Sequence, residues 1–207
     1  MQRWLVSTIL VAGLAVVSGC ADDGRDLAEP TDLQTTTTRP PPPTSALPEE
    51  AGAEGLTISS PDFIAGGQVP VDATCAGRNV FPALSWGPVP ETATELAVSL
   101  SDQTDPESPL LLWLMAGINP NVTGFAAGEI PAGAYETLND YGSPGFGSPC
   151  LDALTEGPHD LQFRIYVLDQ PSGLSPDSAG NEAWEQVRGS AAQWASVLMR
   201  NNIPGSS

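Results

Sequence analysis

The pattern of apolar and polar residues predicts short β-strands from about residue 56 onward. Residues 95–102, ELAVSLSD, and residues 161–169, LQFRIYVLD, alternate between apolar and polar residues with the period of two that is typical of a β-strand. The run Leu110–Ala116 is instead apolar without interruption and lies between proline-containing turns. Seven residues are too few to cross a bilayer, so this run predicts a strand that is buried on both faces.

The C-terminal region carries the period of a helix. One apolar stripe recurs at steps of three and four residues, at Trp184, Val187, Ala191, Trp194 and Leu198. Asn181, followed by Glu182, is the predicted cap of this helix. Gly189 lies in the middle and costs about 1 kcal/mol relative to alanine, so two short helices are the alternative. We expect the stripe to pack on a sheet.

The elements together predict a mainly β fold. The predicted strands are separated by loops rich in glycine and proline, such as AGGQVP and GSPGFGSP, and they do not alternate regularly with helices. This arrangement is typical of an antiparallel sandwich or barrel.

The N-terminus has the form of a secretory signal. Arg3 precedes an apolar segment, residues 4–17, and small residues lead directly to Cys20. The cysteine at the cleavage point resembles the lipobox of bacterial lipoproteins. That resemblance implies a signal peptide over residues 1–19, a lipid on Cys20, and an exported protein anchored to the outer face of the bacterial cell membrane. An uncleaved anchor, or an ordinary signal with a chance cysteine, is the alternative.

Residues 20–54 predict a disordered linker between the anchor and a domain over residues 55–207. The segment combines eight acidic residues and two arginines with a threonine- and proline-rich centre. It has too little apolar surface to offset the entropy lost on ordering. We therefore expect the linker to act as a stalk that holds the domain away from the membrane.

The charge of the chain narrows the class of partners. Its 207 residues include 25 acidic and seven basic side chains, all arginine, which gives a net charge of −18. Such a surface repels nucleic acids and anionic lipids, so the lipid anchor is the only predicted membrane contact. In an exported domain we expect Cys75 and Cys150 to form a disulfide bond; two separate buried thiols are the alternative.

Several motifs resemble, in order, the phosphatidylethanolamine-binding / Raf kinase inhibitor-like family in its bacterial branch. They are FIAGGQVP, TCAGRNVFPALSWGPVP, SDQTDP, LLWLMAGINP, NDYGSPGFGSPC and GPHDLQFRIYVLD, and they span about residues 56–200. The resemblance implies a Greek-key β-sandwich with a C-terminal helix and short peripheral helices. It also implies an anion pocket at one end of the sheet, and it allows a homodimer.

Carried over to this sequence, the implied pocket comprises Asp102, Pro106, Leu112, Trp113, Gly145, Phe146, Gly147, Ser148, Pro149 and His159. Several positions depart from the family pattern, including Gln103 and Thr104 in the turn after Asp102, and two further departures change the chemistry of the pocket. Leu112 replaces one of two pocket histidines, and Asp160 replaces an arginine that follows the other. A lost charge-assisted hydrogen bond weakens binding by about 1.5–3 kcal/mol. We therefore expect a small ligand, neutral or anionic, instead of a phosphate headgroup, and a neutral or mostly apolar molecule is the preferred hypothesis. A pocket that has lost its ligand is the alternative.

Other chemistries find little support in the sequence. A single histidine and no cluster of ligands predict no metal site and no cofactor. The sequence lacks Gly-x-Ser-x-Gly and phosphate-binding glycine motifs, so we expect no catalysis. Two classes of function remain. The first is a tethered small-ligand binding protein, and the second is an interaction protein that inhibits a protease or kinase-like partner through loops 103–109 or 128–144.

Overall fold

A computed structural model describes residues 55–149 and 158–201. The predicted signal peptide, Cys20 and the linker lie outside the described residues. Cys150 does too, so its pairing with Cys75 stays a prediction. No helix within residues 55–149 and 158–201 is both long and apolar enough to span a bilayer.

The described residues form two antiparallel sheets, which confirms the predicted mainly β fold. The smaller sheet has the order β1-β2-β5, with strands Thr57–Ser59, Leu84–Gly87 and Gly124–Phe125. The larger sheet has the order β6-β4-β3-β7-β8, with strands Tyr135–Glu136, Leu110–Ile118, Glu95–Asp102, His159–Leu168 and Gln193–Asn201. Strand β7 returns after a long excursion to lie beside β3, an order consistent with the predicted Greek key.

One hydrophobic core fills the space between the inner faces of the two sheets. The smaller sheet contributes Ile58, Leu84, Trp86 and Phe125, and the larger sheet contributes Leu100, Trp113, Phe163 and Val197. The opposite face of the larger sheet packs against a helix, α1 (Gly180–Ser190), through Leu111, Leu114, Tyr166, Trp184 and Val187. Strand β4 therefore has apolar contacts on both sides, which confirms the interpretation of its uninterrupted apolar sequence.

A β-bulge in β4 places two successive side chains in the same core. Trp113 pairs with Leu100 and Leu111 pairs with Ser101, so Leu112 has no partner on β3. Leu112 and Trp113 consequently both belong to the core between the sheets, whereas Leu111 packs on the other face. A bulge inserts an extra residue in this way and locally breaks the alternation of a strand.

The predicted C-terminal helix is wrong in its extent. The helix ends at Ser190, and residues 193–201 form strand β8 instead. Trp194 and Leu198 lie on this strand, where Ala195, Val197 and Met199 alternate with them and enter the core. Burial of Ala195, Val197 and Met199, together with the pairing of β8 along residues 159–167 of β7, outweighs the helical spacing of Trp194 and Leu198. The predicted cap is also wrong, because Asn181 lies within the first turn and Ala179 occupies the cap position.

The outer edge of β8 is partly covered by the segment Gly66–Val69. The Gly66 amide donates to Leu198 O at 2.8 Å, and the Val69 amide donates to Arg200 O at 3.0 Å. The Arg200 amide donates back to Gly67 O at 2.8 Å. The glycine-rich stretch AGGQVP thus satisfies backbone groups that an edge strand would otherwise leave to solvent.

Candidate ligand site

A carboxylate and an imidazole meet at one end of the larger sheet. Asp102 is the last residue of β3 and His159 is the first residue of β7, its antiparallel neighbour. The Oδ2 atom of Asp102 lies 2.6 Å from Nδ1 of His159, and the two side chains are only 7% and 4% exposed. Both side chains lie on the core side of the sheet, because they continue the alternation of Leu100 on β3 and of Leu161 on β7. The structure thus brings together two residues that are 57 positions apart.

Thr104 completes this end of the sheet. Its amide donates to Asp102 Oδ1 at 2.9 Å, which closes the turn that an aspartate favours at the end of a strand. Its hydroxyl lies 3.3 Å from His159 Nδ1 and accepts a hydrogen bond from the Asp160 amide at 3.0 Å. Sequence reasoning treated Thr104 only as a departure from the family motif. Its spacing of two residues from Asp102 was the signal for this turn.

The Leu112–Trp113 pair forms the floor beneath the glycine-rich loop. Trp113 stacks on Phe81 with ring centroids 4.5 Å apart, and its indole nitrogen donates to Glu136 Oε1 at 2.6 Å. Leu112 is fully buried, and its carbonyl accepts a hydrogen bond from the Gly147 amide at 2.8 Å. The bulge therefore fixes both the apolar side chain and the loop above it.

Two positions of the loop require glycine, because the backbone there lies very close to neighbouring atoms. A Cβ atom on Gly145, whose φ is +82°, would lie 2.9 Å from Glu136 Oε2. A Cβ atom on Gly147 would lie 2.7 Å from Leu112 O. The amides of these glycines donate to Thr137 O and Leu112 O. Both donors are committed to protein carbonyls, although the resemblance implies that amides of this loop receive an anion.

The remaining predicted residues have different surroundings. Phe146 packs on the core, 6.0 Å from Phe81 between ring centroids. Ser148 is buried and donates to Ala73 O at 3.3 Å, and Pro149 O accepts from Asn201 Nδ2 at 3.3 Å. Pro106 is exposed on the loop between β3 and β4. The contact between residues 148 and 73 joins the segments that precede the two cysteines of the predicted disulfide.

Tyr141 lies beside the site and was not selected from the sequence. A Cβ atom on Gly147 would lie 3.3 Å from the Tyr141 ring, and the Tyr141 amide donates to Asn139 Oδ1 at 3.0 Å. Burial raises the pKa of the Tyr141 hydroxyl, and the negative charges of Asp102 and Asp140 raise it further. The aromatic residue in the NDYG turn was the available signal.

Acidic groups surround the site. Besides Asp102, Glu136 contacts Trp113, and Asp140 Oδ2 accepts a hydrogen bond from the Leu111 amide at 2.7 Å. Asp160, which follows His159, forms an ion pair of 3.3 Å with Arg200. The field of these carboxylates opposes a dianion and tolerates neutral molecules.

Comparisons with known proteins identify the family of this chain. The family model described as Phosphatidylethanolamine-binding protein matches residues 59–200. LppC of Mycobacterium tuberculosis, whose name classes it provisionally as a lipoprotein, is 34% identical over 193 residues, with 92% of this chain and 93% of LppC covered. A UPF0098 protein of Methanothermobacter thermautotrophicus is 34% identical over 128 residues, with 59% of this chain and 83% of that protein covered.

A solved structure has the same fold. The crystal structure of Escherichia coli YbcL, described as a new member of the mammalian PEBP family, superimposes with a TM-score of 0.66 at 25% identity. The similarity covers 73% of this chain and 99% of YbcL.

The field of Asp102 on Tyr141 generates a prediction. In Asp102→Asn the negative charge is removed, so we expect the pKa of Tyr141 to fall but to stay above its ordinary value, because burial remains. Ultraviolet titration of the three tyrosines measures this change, with Tyr141→Phe assigning the transition. Asp105→Asn, which removes an exposed charge from the loop that follows β3, serves as the control. An unchanged Tyr141 transition in Asp102→Asn contradicts the placement of the two groups.

Proposed function

Because the chain belongs to the phosphatidylethanolamine-binding protein family, we propose that it is a membrane-tethered small-ligand binding protein with a modified anion pocket. The observation that carries the proposal is the buried pair of Asp102 and His159 at the sheet end, beside the loop of Gly145 and Gly147. The hydrogen bond between the two buried groups fixes their orientation, so that they form a defined polar wall for a small molecule at the end of the sheet.

The ligand in this proposal is neutral or mostly apolar. Leu112 contributes an aliphatic side chain where the family pattern has an imidazole donor, and it lies in the hydrophobic core. The amides of Gly145 and Gly147 are already bonded to carbonyls. Each of these features removes a donor for an anion, and the nearby carboxylates add repulsion. A small molecule that is mostly apolar and carries an uncharged oxygen acceptor meets these conditions.

We propose binding without catalysis. The Thr104 hydroxyl and the Asp102 carboxylate both approach Nδ1 of His159. A histidine that activates a hydroxyl for nucleophilic attack instead uses one ring nitrogen for the hydroxyl and the other for the carboxylate. The arrangement is suited to holding the imidazole in a fixed orientation.

A second candidate function is that of an interaction protein that inhibits a protease or kinase-like partner. The observation that favours it is an exposed apolar residue, Ile130, within the loop 128–144, where 45% of its surface is accessible. In this case the loops contact the partner, and the pocket has no ligand.

Mass spectrometry of the protein from its own host separates the two candidates. If the protein binds a small ligand, native spectra contain an added mass that is lost in a variant with both Asp102→Ala and His159→Ala. Denaturation of the wild-type protein should release the same mass. Spectra that show a protein partner but no small molecule, in both the wild type and the double variant, support the interaction protein and contradict the ligand proposal.

Restoring the family histidine provides a directional test of the pocket. In Leu112→His, an added charge-assisted donor should tighten binding of inorganic phosphate by about tenfold to a hundredfold. Isothermal calorimetry measures the affinity. Leu112→Met keeps the volume of the core and should leave phosphate binding unchanged. Equal phosphate affinities in a folded Leu112→His variant and the wild type contradict the mapping of this position.

The tether of the proposed protein is a lipid on Cys20. Support comes from the sequence before this cysteine and from the similarity to LppC over 92% of this chain. Cells fed labelled palmitate should therefore incorporate it into the wild type and not into Cys20→Ala. Label that persists in Cys20→Ala contradicts the assignment.

A further inference from the structure

Arg164 is the arginine that differs from the others in the described ranges. Arg78, Arg188 and Arg200 each form an ion pair, with Asp72, Glu185 and Asp160 at 2.9, 2.8 and 3.3 Å. Within residues 55–149 and 158–201, no carboxylate pairs with Arg164. In a chain without lysine and with a net charge of −18, an unpaired cation is unexpected.

The guanidinium of Arg164 is nevertheless held in place. Its carbon Cζ lies over the ring of Trp194, 4.2 Å from the ring centroid, which is a cation–π contact. Its Nη2 donates to Gln162 Oε1 at 2.7 Å. Its Nε is buried and makes no hydrogen bond in the described part of the chain. The side chain is thus ordered by an aromatic ring and an amide, neither of which neutralises its charge.

This side chain lies on a face of the sheet that the helix leaves uncovered. Arg164 and Trp194 belong to the outer face of β7 and β8, opposite to the face that carries Asp102 and His159. Helix α1 packs on β4 and β7 farther along this face, where it covers Tyr166. The uncovered part, which we call the β7–β8 face, consists of Gln162, Arg164, Trp194, Ser196 and Leu198, all half-buried. The ion pair of Asp160 and Arg200 lies on the same side of the sheet, beside Gln162 and Leu198.

We propose that the β7–β8 face binds an acidic peptide segment of a partner protein, with Arg164 receiving a carboxylate that is flanked by apolar side chains. A planar guanidinium matches a carboxylate, and stacking on Trp194 reduces the entropy lost when it binds. Leu198 and the Trp194 ring provide apolar surface beside the charge. A short segment with few charges suits this face, because the overall negative charge repels a polyanion. The proposal is independent of the ligand at Asp102.

The chain contains a matched control for Arg164. Arg188 also stacks on a tryptophan, with Cζ 4.8 Å from the Trp184 ring centroid, but it already forms an ion pair with Glu185. Both arginines therefore contribute the same long-range charge and the same type of aromatic contact. They differ in whether a carboxylate of the chain is already bound, so a difference in binding reports on the unpaired guanidinium.

The test titrates the protein with the blocked tetrapeptide Leu-Glu-Glu-Leu and follows the tryptophan indole signals by NMR. Trp194→Phe assigns the relevant signal. We expect the peptide to shift the Trp194 signal, and Arg164→Gln to weaken binding at least tenfold. Arg164→Lys, which keeps the charge without the planar group, should weaken it less. Arg188→Gln should leave the affinity within twofold.

Several results would overturn the proposal. One is an equal shift with the uncharged peptide Leu-Gln-Gln-Leu, and another is equal weakening by Arg164→Gln and Arg188→Gln. A Trp194 signal that changes with protein concentration and not with peptide, together with dimers in light scattering, would assign the face to a second copy of the chain. Retained secondary structure, measured by circular dichroism, confirms that each variant is folded. If Arg164→Gln does not fold, Arg164→Lys decides by itself, and unchanged affinity counts against the proposal.

Discussion

The register between β3 and β7 is the constraint on which the candidate site depends. Leu161, Phe163, Ile165 and Val167 enter the core from β7, and this alternation fixes which face His159 joins. A slip of one residue would turn the imidazole to the opposite face and break its 2.6 Å contact with Asp102. The hydrophobic residues that stabilise the sandwich therefore also determine the geometry of the polar pair. Site and core are linked in this way because both lie on the same two strands.

The bulge in β4 adds a second constraint. It turns Leu112 and Trp113 to the same side and presents the Leu112 carbonyl to the glycine-rich loop. The loop can approach this closely only because residues 145 and 147 lack a side chain. Its amides then bond to protein carbonyls, and its glycines lie against Glu136 and Leu112. The loop is therefore fixed by backbone hydrogen bonds, and an aliphatic and an acidic side chain, Leu112 and Glu136, lie directly against it.

Much of the fold was predictable from local patterns. The strand 95–102, most of the strand at 159–168 and the doubly buried strand at 110–118 follow from alternation or from uninterrupted apolar sequence. Residues 193–201 were misassigned because Trp194 and Leu198 fit a helical stripe, whereas their pairing with β7 is a long-range interaction that no local window contains.

The same limit applies to the site. Asp102 and His159 were predicted from a family resemblance, and the structure places them together. Tyr141 and Glu136 were missed because they reach the site through contacts with Gly147 and Trp113, which depend on the packing of loops. The sequence also did not indicate that Arg164 forms no ion pair with a carboxylate of residues 55–149 and 158–201, since each of seven arginines among 25 acidic residues would be expected to find a carboxylate.

The segment Gly66–Val69 has a consequence for how such molecules behave when crowded. An open strand edge can pair with the same edge of another molecule, and repeated pairing of this kind produces aggregates. Here part of the β8 edge is occupied by the protein's own backbone, and the opposite edge of the sheet, β6, is only two residues long. If the domain is tethered to a membrane as proposed, it meets neighbouring copies more often than in solution. The partly covered edge of β8 and the short strand β6 therefore leave less backbone through which such collisions could join sheets.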